Sequence, residues 1–518
     1  MTTLKLPKTK NQLQLKNNMK YQPTIGLEIH VQLKTKTKMF CGCLNNPEEK
    51  QPNLNVCPIC MGHPGTLPII NKEAVKSVIK TGLTLDCQIA KETWFERKNY
   101  FYPDLPKNYQ ISQNEAPFCK QGKLKINDRD IRINNIHLEE DTGKLIHSKD
   151  NDYSLVDFNR AGVPLMELVT EPDINSANEA RKFCEELRLI LRYLGASDAD
   201  MEKGELRAEA NISLSNLPRG KAGKRQLGTK VEIKNLNSFK AVEKAIDYEI
   251  KRQAELLESN EKIVHETRGW NENKQKTFSQ RIKEVAEDYR YFPEPDLPPL
   301  KISKEEIEKI RAEIPELPTS RRKRFKKEYK ISDGDVEVFT SFKALGDYFE
   351  KVISELKNWE KIVPSSARLR RATEGKHSYK LVKLAANYLI TELKKYLTNL
   401  EDIKKIKITP ENFAEFIILV NQDKISSSAA QTVLKEMFET GIDPSHVIEE
   451  KDLTQVSDES KLEIIIEKAI ESNSGSAEDY QCGKKNALQF LVGQVMKLSK
   501  GKANPQIVSK ILKKKLAK

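Results

Sequence analysis

The sequence predicts an α+β protein of several domains, and three observations lead to that class. Apolar and polar residues alternate with the period of half-buried strands over residues 25–33, 129–140, 153–158, 206–214 and 229–236. Between these segments, apolar residues at helical spacing predict helices over residues 72–83, 176–194 and 238–257. A proline-rich stretch at residues 292–299 ends the mixed pattern, and only helical patterns follow it.

Composition and charge describe a protein that suits a polyanionic partner. Charged residues make up 31% of the 518 residues, and the formal net charge is +13. This sign favours nucleic acid as a partner, although a general abundance of lysine explains the charge equally well. Because no apolar run is long enough to span a bilayer and the 8 cysteines do not suggest a disulfide framework, we expect a cytoplasmic protein without a membrane segment.

The domain boundaries follow from breaks in these patterns. Residues 1–20 are basic and polar without an acid, which predicts a disordered extension. Residues 21–300 should form the mixed domain, and residues 301–406 a helical domain. Thr409 followed by Pro410 predicts the start of a helix and of a helical tail domain over residues 407–518. The tail ends in a lysine-rich helix, which either contacts a nucleic-acid backbone or is a solvated surface.

Two close pairs of cysteines follow the first predicted strand. Cys41, Cys43, Cys57 and Cys60 can supply four thiolates to one tetrahedral Zn²⁺. The loop at 41–60 is rich in proline and asparagine and has little core of its own, so a bound metal ion would be needed to hold it together. The alternative is two unrelated cysteine pairs in a reduced protein.

The first strand carries an acid and a histidine on one face. Since side chains two positions apart share a face, Glu28, His30 and Gln32 should point one way. Leu27, Ile29, Val31 and Leu33 should then point into a core. A carboxylate and an imidazole on one face form half of a metal or phosphate site.

Further carboxylates follow at the end of a later strand. Glu139 and Asp141 should share one face, and Glu140 the other; a tight turn at 141–143 then predicts a return strand from Lys144. Together with Glu167, these oxygens suit Mg²⁺. Taken alone, the segment is more simply a solvated acidic hairpin tip.

Two more strands place charged side chains on one face. Arg207 and Glu209 alternate with alanines, and Glu232 and Lys234 alternate with aliphatic residues. Such a face can line a cleft in which cations hold phosphates while carboxylates hold a metal ion. An ordinary half-exposed sheet has the same pattern and is more common.

Aromatic and basic residues interleave between residues 97 and 110. Lys98, Tyr100, Tyr102 and Lys107 can stack on bases and neutralise phosphates, although a rigid loop packed on a core has the same composition. The sequence contains no Walker-type phosphate loop, so nucleotide chemistry here would have to use a sheet and carboxylates. It also lacks a Gly/Ser-rich nucleophile segment typical of amide hydrolysis.

Taken together, these segments resemble the GatB family, the B subunits of the aspartyl/glutamyl-tRNA amidotransferases of bacteria and archaea. The resemblance runs from residue 21 to the C-terminus, in long blocks that keep their order. The blocks are IGLEIH at 25–30, RKNYFYPD at 97–104, YQISQ at 109–113, HLEED at 137–141, YSLVDFNR at 153–160, EPD at 171–173, EIKNLNSF at 232–239, DYRYFPEPD at 288–296 and GKANP at 501–505.

The resemblance implies a fold, a reaction and partners. The mixed domain would be a glutamine-synthetase-like cradle, followed by a helical domain and a small helical tail that binds tRNA. The enzyme would be a carbon–nitrogen ligase that uses ATP to phosphorylate the side-chain carboxylate of Glu-tRNA(Gln) or Asp-tRNA(Asn). Ammonia would then replace the phosphate. It would come from glutamine through the A subunit, a glutaminase (amidase), and a small C subunit would complete a heterotrimer.

The resemblance also assigns residues to these roles. Glu28, His30, Glu140 and Glu167 would surround Mg²⁺, and the four cysteines would bind a structural Zn²⁺. We expect Arg207 and Lys234 to take part in catalysis, and we expect ATP or the tRNA end to contact Lys98, Tyr100, Tyr102, Lys107, Glu209 and Glu232. Two other readings stay open: a non-catalytic zinc protein that binds tRNA, and a synthetase-like ligase without a recognisable adenylate-forming signature.

Overall fold

A computed structural model gives the structure of the protein. It describes residues 21–148, 152–215, 227–282, 289–362, 374–454, 459–499 and 502–516. The predicted disordered extension at 1–20 lies outside the described residues. The chain divides into two compact units, with the division between Leu317 and Pro318. Among the described residues, no helix is long and apolar enough to cross a membrane.

The first unit is built on a nine-stranded sheet, in the order β14-β13-β12-β11-β1-β10-β7-β6-β2. Neighbouring strands are antiparallel except for the parallel pair β12 and β13. The strands of this sheet are β1 (Gln22–Gln32), β2 (Gln88–Ile89), β6 (Cys119–Ile126), β7 (Arg129–Glu140), β10 (Pro164–Thr170), β11 (Leu206–Ser215), β12 (Val231–Leu236), β13 (Glu266–Asn271) and β14 (Lys276–Ile282).

Short strands form three smaller sheets beside it. In the first, β4 lies between β15 and β5; the other two pair β16 with β3 and β8 with β9. Their bounds are β3 (Glu92–Thr93), β4 (Glu96–Asn99), β5 (Tyr109–Ser112), β8 (Lys144–His147), β9 (Ser154–Asp157), β15 (Phe292–Pro293) and β16 (Leu300–Lys301).

The first three helices of the first unit begin within one residue of their predicted starts, and a fourth follows the proline-rich stretch. They are α1 (Lys72–Thr84), α2 (Ala177–Leu194), α3 (Phe239–Glu258) and α4 (Lys304–Ala312). Ser176 and Ser238 cap α2 and α3 by accepting a hydrogen bond from the backbone three residues ahead. At the other end of α2, Gly195 adopts a φ of 68°, a left-handed conformation that costs glycine little.

The alternation predicted for β1 is confirmed by its burial. Ile25, Leu27, Ile29 and Val31 are each at most 1% exposed and belong to one large core with the apolar faces of the helices. Glu28 and His30 lie on the opposite face. An antiparallel sheet with one buried face leaves the other face free for chemistry.

The predicted hairpin between β7 and a return strand is wrong. β8 does begin at Lys144, but it pairs with β9 in a separate two-stranded sheet. After β7, the Gly143 N–H donates to the carbonyl oxygen of Asp104. Asp141 itself stays at the edge of the large sheet, where Gln32 and Arg207 donate hydrogen bonds to its carboxylate.

The first unit extends beyond the predicted boundary at residue 300. Ile302 and Ile310 are buried in the core of the first unit, and Ile314 and Leu317 pack against it. Helix α4 therefore belongs to the same unit as the sheet. The mixed pattern ended at the prolines, but the burial of apolar side chains continues past them.

The second unit is helical, as predicted. Its helices are α5 (Pro318–Tyr329), α6 (Asp333–Ser341), α7 (Lys343–Ile362), α8 (Glu374–Asn387), α9 (Pro410–Asn421), α10 (Ser427–Thr440), α11 (Pro444–Glu450), α12 (Glu459–Glu471), α13 (Ser474–Gln481), α14 (Asn486–Leu498) and α15 (Pro505–Leu516). A π-helical turn (Tyr388–Glu392) and two 3₁₀ segments (Leu393–Tyr396, Leu400–Lys405) join α8 to α9.

The described residues of the second unit form two separate hydrophobic cores. The first runs from Phe325 to Ile448, across the predicted boundary at residue 407. Thr409 caps α9 as expected, but α9 packs in the same core as α7. The second core holds Leu462, Leu491 and Leu512, among others. The division between hydrophobic cores therefore falls between residues 448 and 462.

Candidate functional site

Strand register brings the polar residues of four strands into one row. On β1, His30 lies opposite Glu167 of β10 on one side and opposite Arg207 of β11 on the other. Glu167 in turn lies opposite His137 of β7. Directly opposed side chains are about 5 Å apart at Cβ, so these groups meet across the sheet. We call Glu28, His30, His137, Glu139 and Glu167 the carboxylate–histidine row.

Glu167 is at the centre of the row. Its Oε2 lies 3.2 Å from Nε2 of His30 and 3.2 Å from Nε2 of His137. Glu139 approaches both rings less closely, at 3.8 and 3.9 Å. Nδ1 of His137 lies 3.0 Å from the side-chain oxygen of Asn135. Each imidazole therefore directs Nε2 at the same carboxylate.

The pKa values in the row are shifted by the large number of carboxylates gathered there. Burial and the charges of Glu167 and Glu209 raise the pKa of Glu28 to about 7. Burial alone would lower the pKa of His30, but its hydrogen bond to Glu167 and the nearby acids raise that pKa to about 9. Burial opposes ionisation of Glu167, yet His137 and His30 hold its pKa well below its usual value. A cation among these groups would relieve the repulsion.

Ligand atoms in the row are close enough together to hold a metal ion. Oxygen and nitrogen atoms of Glu28, His30 and Glu167 lie within 4.8 Å of one another, and so do those of His137, Glu139 and Glu167. Each set combines two carboxylates with one imidazole, and carboxylate oxygens held on rigid strands fit a hard divalent cation such as Mg²⁺. The donor set thus agrees with the metal that the resemblance implies.

A second acidic group adjoins the row at Glu28. Glu28, Glu209 and Glu232 also bring ligand atoms within 4.8 Å. Nζ of Lys234 lies 2.9 Å from Glu209 and 3.8 Å from Glu232. Burial alone would lower the pKa of Lys234, but Glu209 and Glu232 raise it, so the ammonium stays charged in the cleft.

Arg207 lies on β11 beside the row, opposite His30. Its guanidinium donates to Oδ1 of Asp141 at 3.0 Å, and Gln32 donates to Oδ2 at 2.9 Å. Burial opposes ionisation of Asp141, but Arg207 and Arg160 hold its pKa below its usual value. The arginine is about one third exposed, so it is fixed in place and still accessible to a ligand.

The aromatic segment forms a wall beside these acids. Nζ of Lys98 lies 5.8 Å from the ring centre of Tyr100 and 5.0 Å from that of Tyr289. Burial alone would lower the pKa of Lys98, but Glu139 and Glu167 raise it, which indicates that its charge acts on the row. Tyr102, by contrast, is 62% exposed, outside this wall.

Glu140 is the one predicted magnesium ligand that does not join the row. Its carboxylate accepts hydrogen bonds from Lys107 at 2.5 and 2.6 Å and from the Ile111 backbone at 3.0 Å. Because side chains alternate along β7, Glu140 shares the face of buried Leu138, and Glu139 lies on the face of the row. Lys107 is therefore held by Glu140 rather than free for a phosphate.

The four cysteines form a cluster, although they lie outside the long strands. Their sulfur atoms all lie within 4.8 Å of one another, and none forms a disulfide. A hydrogen bond from Cys41 and the charge of Lys38, against the effect of burial, lower the pKa of Cys60 to about 5. A Zn–S bond of about 2.3 Å fits such a cluster. We call these residues the four-cysteine cluster.

Two family models match this sequence. One, described as the GatB/GatE catalytic domain, matches residues 23–308, and the other, described as the GatB domain, matches residues 373–516. The first match covers more than half of the chain and the whole carboxylate–histidine row. The chain belongs to the GatB family.

Curated proteins similar to the chain carry a consistent name. A protein of Thermotoga petrophila is 46% identical over 508 residues, which cover 96% of this chain and 99% of its own. A protein of Carboxydothermus hydrogenoformans is 46% identical over 506 residues, with the same coverage of both chains. Both are named as the B subunit of an aspartyl/glutamyl-tRNA(Asn/Gln) amidotransferase.

Sequence reasoning missed several residues of the site. The carboxylates of residues 139–141 were predicted to suit Mg²⁺ as a group, but the resemblance assigned only Glu140 among them to the metal, and His137 was assigned no role. The signal was available, since residues 137 and 139 share a face that excludes 138 and 140. Tyr289 lies within one of the segments that resemble the family, but its contact with Tyr100 could not be predicted because the two residues are distant in sequence.

Proposed function

We propose that this protein is the kinase and transamidase subunit of a tRNA-dependent amidotransferase. It would convert Glu-tRNA(Gln), Asp-tRNA(Asn) or both into the amide forms, with ATP and ammonia as co-substrates. The observation that carries the proposal is the convergence of acidic residues, histidines and lysines on the sheet face opposite the hydrophobic core. The names of the similar proteins supply the substrate class.

The chemistry explains why such a face is needed. A carboxylate is a poor electrophile because its oxygen is a poor leaving group. Attack of a side-chain carboxylate oxygen on the γ-phosphorus of ATP forms an acyl phosphate and releases ADP. Ammonia then attacks the acyl carbon, and inorganic phosphate leaves with the former carboxylate oxygen. Phosphoryl transfer depends chiefly on positioning and on neutralising charge.

The carboxylate–histidine row would hold Mg²⁺. Glu28, His30 and Glu167 offer one set of ligands, with His137 and Glu139 beside them. When bound, Mg²⁺ would neutralise and orient the phosphate oxygens of ATP. We propose Glu139 in place of Glu140 for this role, because the carboxylate of Glu140 is paired with Lys107.

Cations of the chain would offset the remaining phosphate charge. Arg207 of β11 and Lys234 of β12 lie beside the row, each held by a carboxylate partner. Lys98 would act from the aromatic wall, where Tyr100 also offers a face to a base. Positive groups fixed before the reaction stabilise developing charge without reorganising.

Ammonia would come from a partner protein. The sequence lacks a nucleophile segment for cleaving glutamine, and the similar proteins are named as subunits. We therefore propose a complex with a glutaminase subunit and a small third subunit. The purified chain should accept ammonium but not glutamine as its nitrogen donor. Amide formation from glutamine by the chain alone would contradict this.

The C-terminal helix would contact the tRNA body. Val508, Ile511 and Leu512 face the core on one side of α15, and the other side exposes Lys510, Lys513 and Lys514. Cutting the chain at residue 408 would disrupt the core that spans that point, so a triple Lys→Gln variant is the cleaner test. Each lost phosphate contact should reduce the slope of log affinity against log salt by about 0.9. If the salt dependence of tRNA binding is unchanged in this variant, α15 does not contact the tRNA backbone.

The decisive variant for the proposal is Glu28→Ala. It removes a carboxylate common to both acidic groups, so phosphorylation and amide formation should fall together by about a thousandfold. Binding of tRNA should persist, because the exposed lysines are untouched. Glu255→Ala, an exposed acid on α3, is the matched control and should keep full activity. Full amidation by Glu28→Ala would rule out this site.

The same assay separates the proposal from its main competitor. A non-catalytic zinc protein that binds tRNA would show no ATP consumption that depends on misacylated tRNA. We expect such consumption from the complete complex and its loss in Glu28→Ala.

A further inference from the structure

Lys38 is completely buried, which is unusual for a lysine. Its relative exposure is 0%, and it lies between β1 and the four-cysteine cluster. Its backbone N–H donates to the Cys43 carbonyl oxygen at 3.0 Å. A lysine stem often packs on apolar surface while its ammonium reaches water, so complete burial calls for a specific partner.

The surroundings of Lys38 offer two partners to its ammonium. Nζ donates to the carbonyl oxygen of Phe158 at 3.2 Å and lies 4.0 Å from Sγ of Cys60. Within the described part of the chain, no carboxylate oxygen lies within 4.0 Å of Nζ. Burial of an ammonium without a counter-charge is strongly unfavourable. Sulfur is thus the group that can carry the opposing charge.

We propose that Lys38 is a positioning residue that supplies the counter-charge of the four-cysteine cluster. The inference rests on the proposed zinc site. Four thiolates around one Zn²⁺ carry a net charge of −2, which one ammonium reduces to −1. Lys38 therefore makes a buried, fully deprotonated cluster less costly, and it directs one N–H at a ligand sulfur.

The packing around Cys60 supports this role. The Cys57 backbone N–H also donates to Sγ of Cys60, at 3.2 Å, so two donors converge on one sulfur. A Cβ added at Gly162 would lie 3.5 Å from Cβ of Cys60 and 3.5 Å from Cδ of Lys38. Residue 162 therefore adjoins both the lysine stem and the cysteine. Groups that hold metal ligands in place commonly change metal affinity ten- to a hundredfold when removed.

The test uses Lys38→Met, which keeps the length of the stem and removes the charge. Lys38→Gln is the second variant, because its amide can still donate to the Phe158 carbonyl oxygen. Lys36→Met is the matched control at an exposed lysine two residues away. Zinc affinity is measured at one fixed pH by competition with a chromophoric chelator. Melting temperatures are recorded for the zinc-free and zinc-bound proteins.

We expect both Lys38 variants to bind zinc about ten- to a hundredfold more weakly, with Lys36→Met unchanged. The zinc-free proteins should melt at nearly the same temperature as the wild type. If the wild type holds no zinc, the zinc site itself is refuted. If the wild type holds zinc and both variants bind it equally well, the role of Lys38 is refuted. Equal destabilisation of both forms with unchanged affinity would show only a packing role and would also overturn it.

Discussion

The carboxylate–histidine row and the four-cysteine cluster reach their geometry by different routes. The row is set by hydrogen-bonded register between long strands, so His30, Glu167 and His137 are opposed before any ligand arrives. The cluster lies on a loop with turns rather than strands, where isolated contacts such as the hydrogen bond from Asn55 to the Asn46 carbonyl oxygen take the place of a strand ladder. A metal ion should therefore add function to the first region and stability to the second.

Removal of Mg²⁺ should abolish the activity of the carboxylate–histidine row and leave the fold of the sheet almost unchanged. Without the divalent cation, we expect activity to fall to background and to return when Mg²⁺ is added back. Circular dichroism and the melting temperature should change little, because strand pairing holds the row. Unfolding of the sheet on removal of Mg²⁺ would contradict the comparison.

Loss of one cysteine ligand should instead reduce the stability of the fold around the four-cysteine cluster. Cys57→Ser should lose the expected zinc, about one ion per chain, and open the loop at 41–60 to proteases. A loss of about 2 kcal/mol would lower the melting temperature of a domain of this size by roughly 4 °C. Cys482→Ser, at an exposed cysteine outside the cluster, is the control. Absence of zinc from the wild type, purified without chelator, would refute the site.

Glu139 and Glu140 are neighbours in sequence but belong to different regions, so substituting each one tests which region holds the catalytic metal. Glu139 lies on the face of the row, and Glu140 pairs with Lys107 beside Cys60 and Phe40, along a cavity shared with the cluster. We expect Glu139→Gln to reduce activity at least tenfold more than Glu140→Gln, measured as kcat/KM for amide formation. An equal or reversed order would return Glu140 to the metal site.

Local periodicity predicted much of the fold. The starts of α1, α2, α3 and α9 and the two faces of β1 follow from the sequence because they depend on neighbouring residues. The pairing of β8 with β9 and the common core of α7 and α9 do not, because they depend on contacts between distant residues. The proline-rich stretch ended the pattern of alternating strands, but it did not end the first unit.

The candidate site was also predicted only in part from the sequence. The faces of Glu28 and His30 follow from alternation, yet the meeting of His30, Glu167 and His137 depends on a register that no single strand encodes. Glu140 was misplaced even though its position beside Leu138 on one face was readable from the sequence. Tyr289 comes to Tyr100 from nearly two hundred residues away, so only the three-dimensional structure places it there.

The most direct test of the central claim follows one oxygen atom. The complete complex is given Glu-tRNA with ¹⁸O in the side-chain carboxylate, together with ATP and ammonium, and Asp-tRNA is assayed in parallel. If the carboxylate attacks the γ-phosphorus, ADP forms in proportion to amide and one ¹⁸O appears in inorganic phosphate. Label in AMP, or amide formed without ATP, would contradict an acyl-phosphate route through this sheet face.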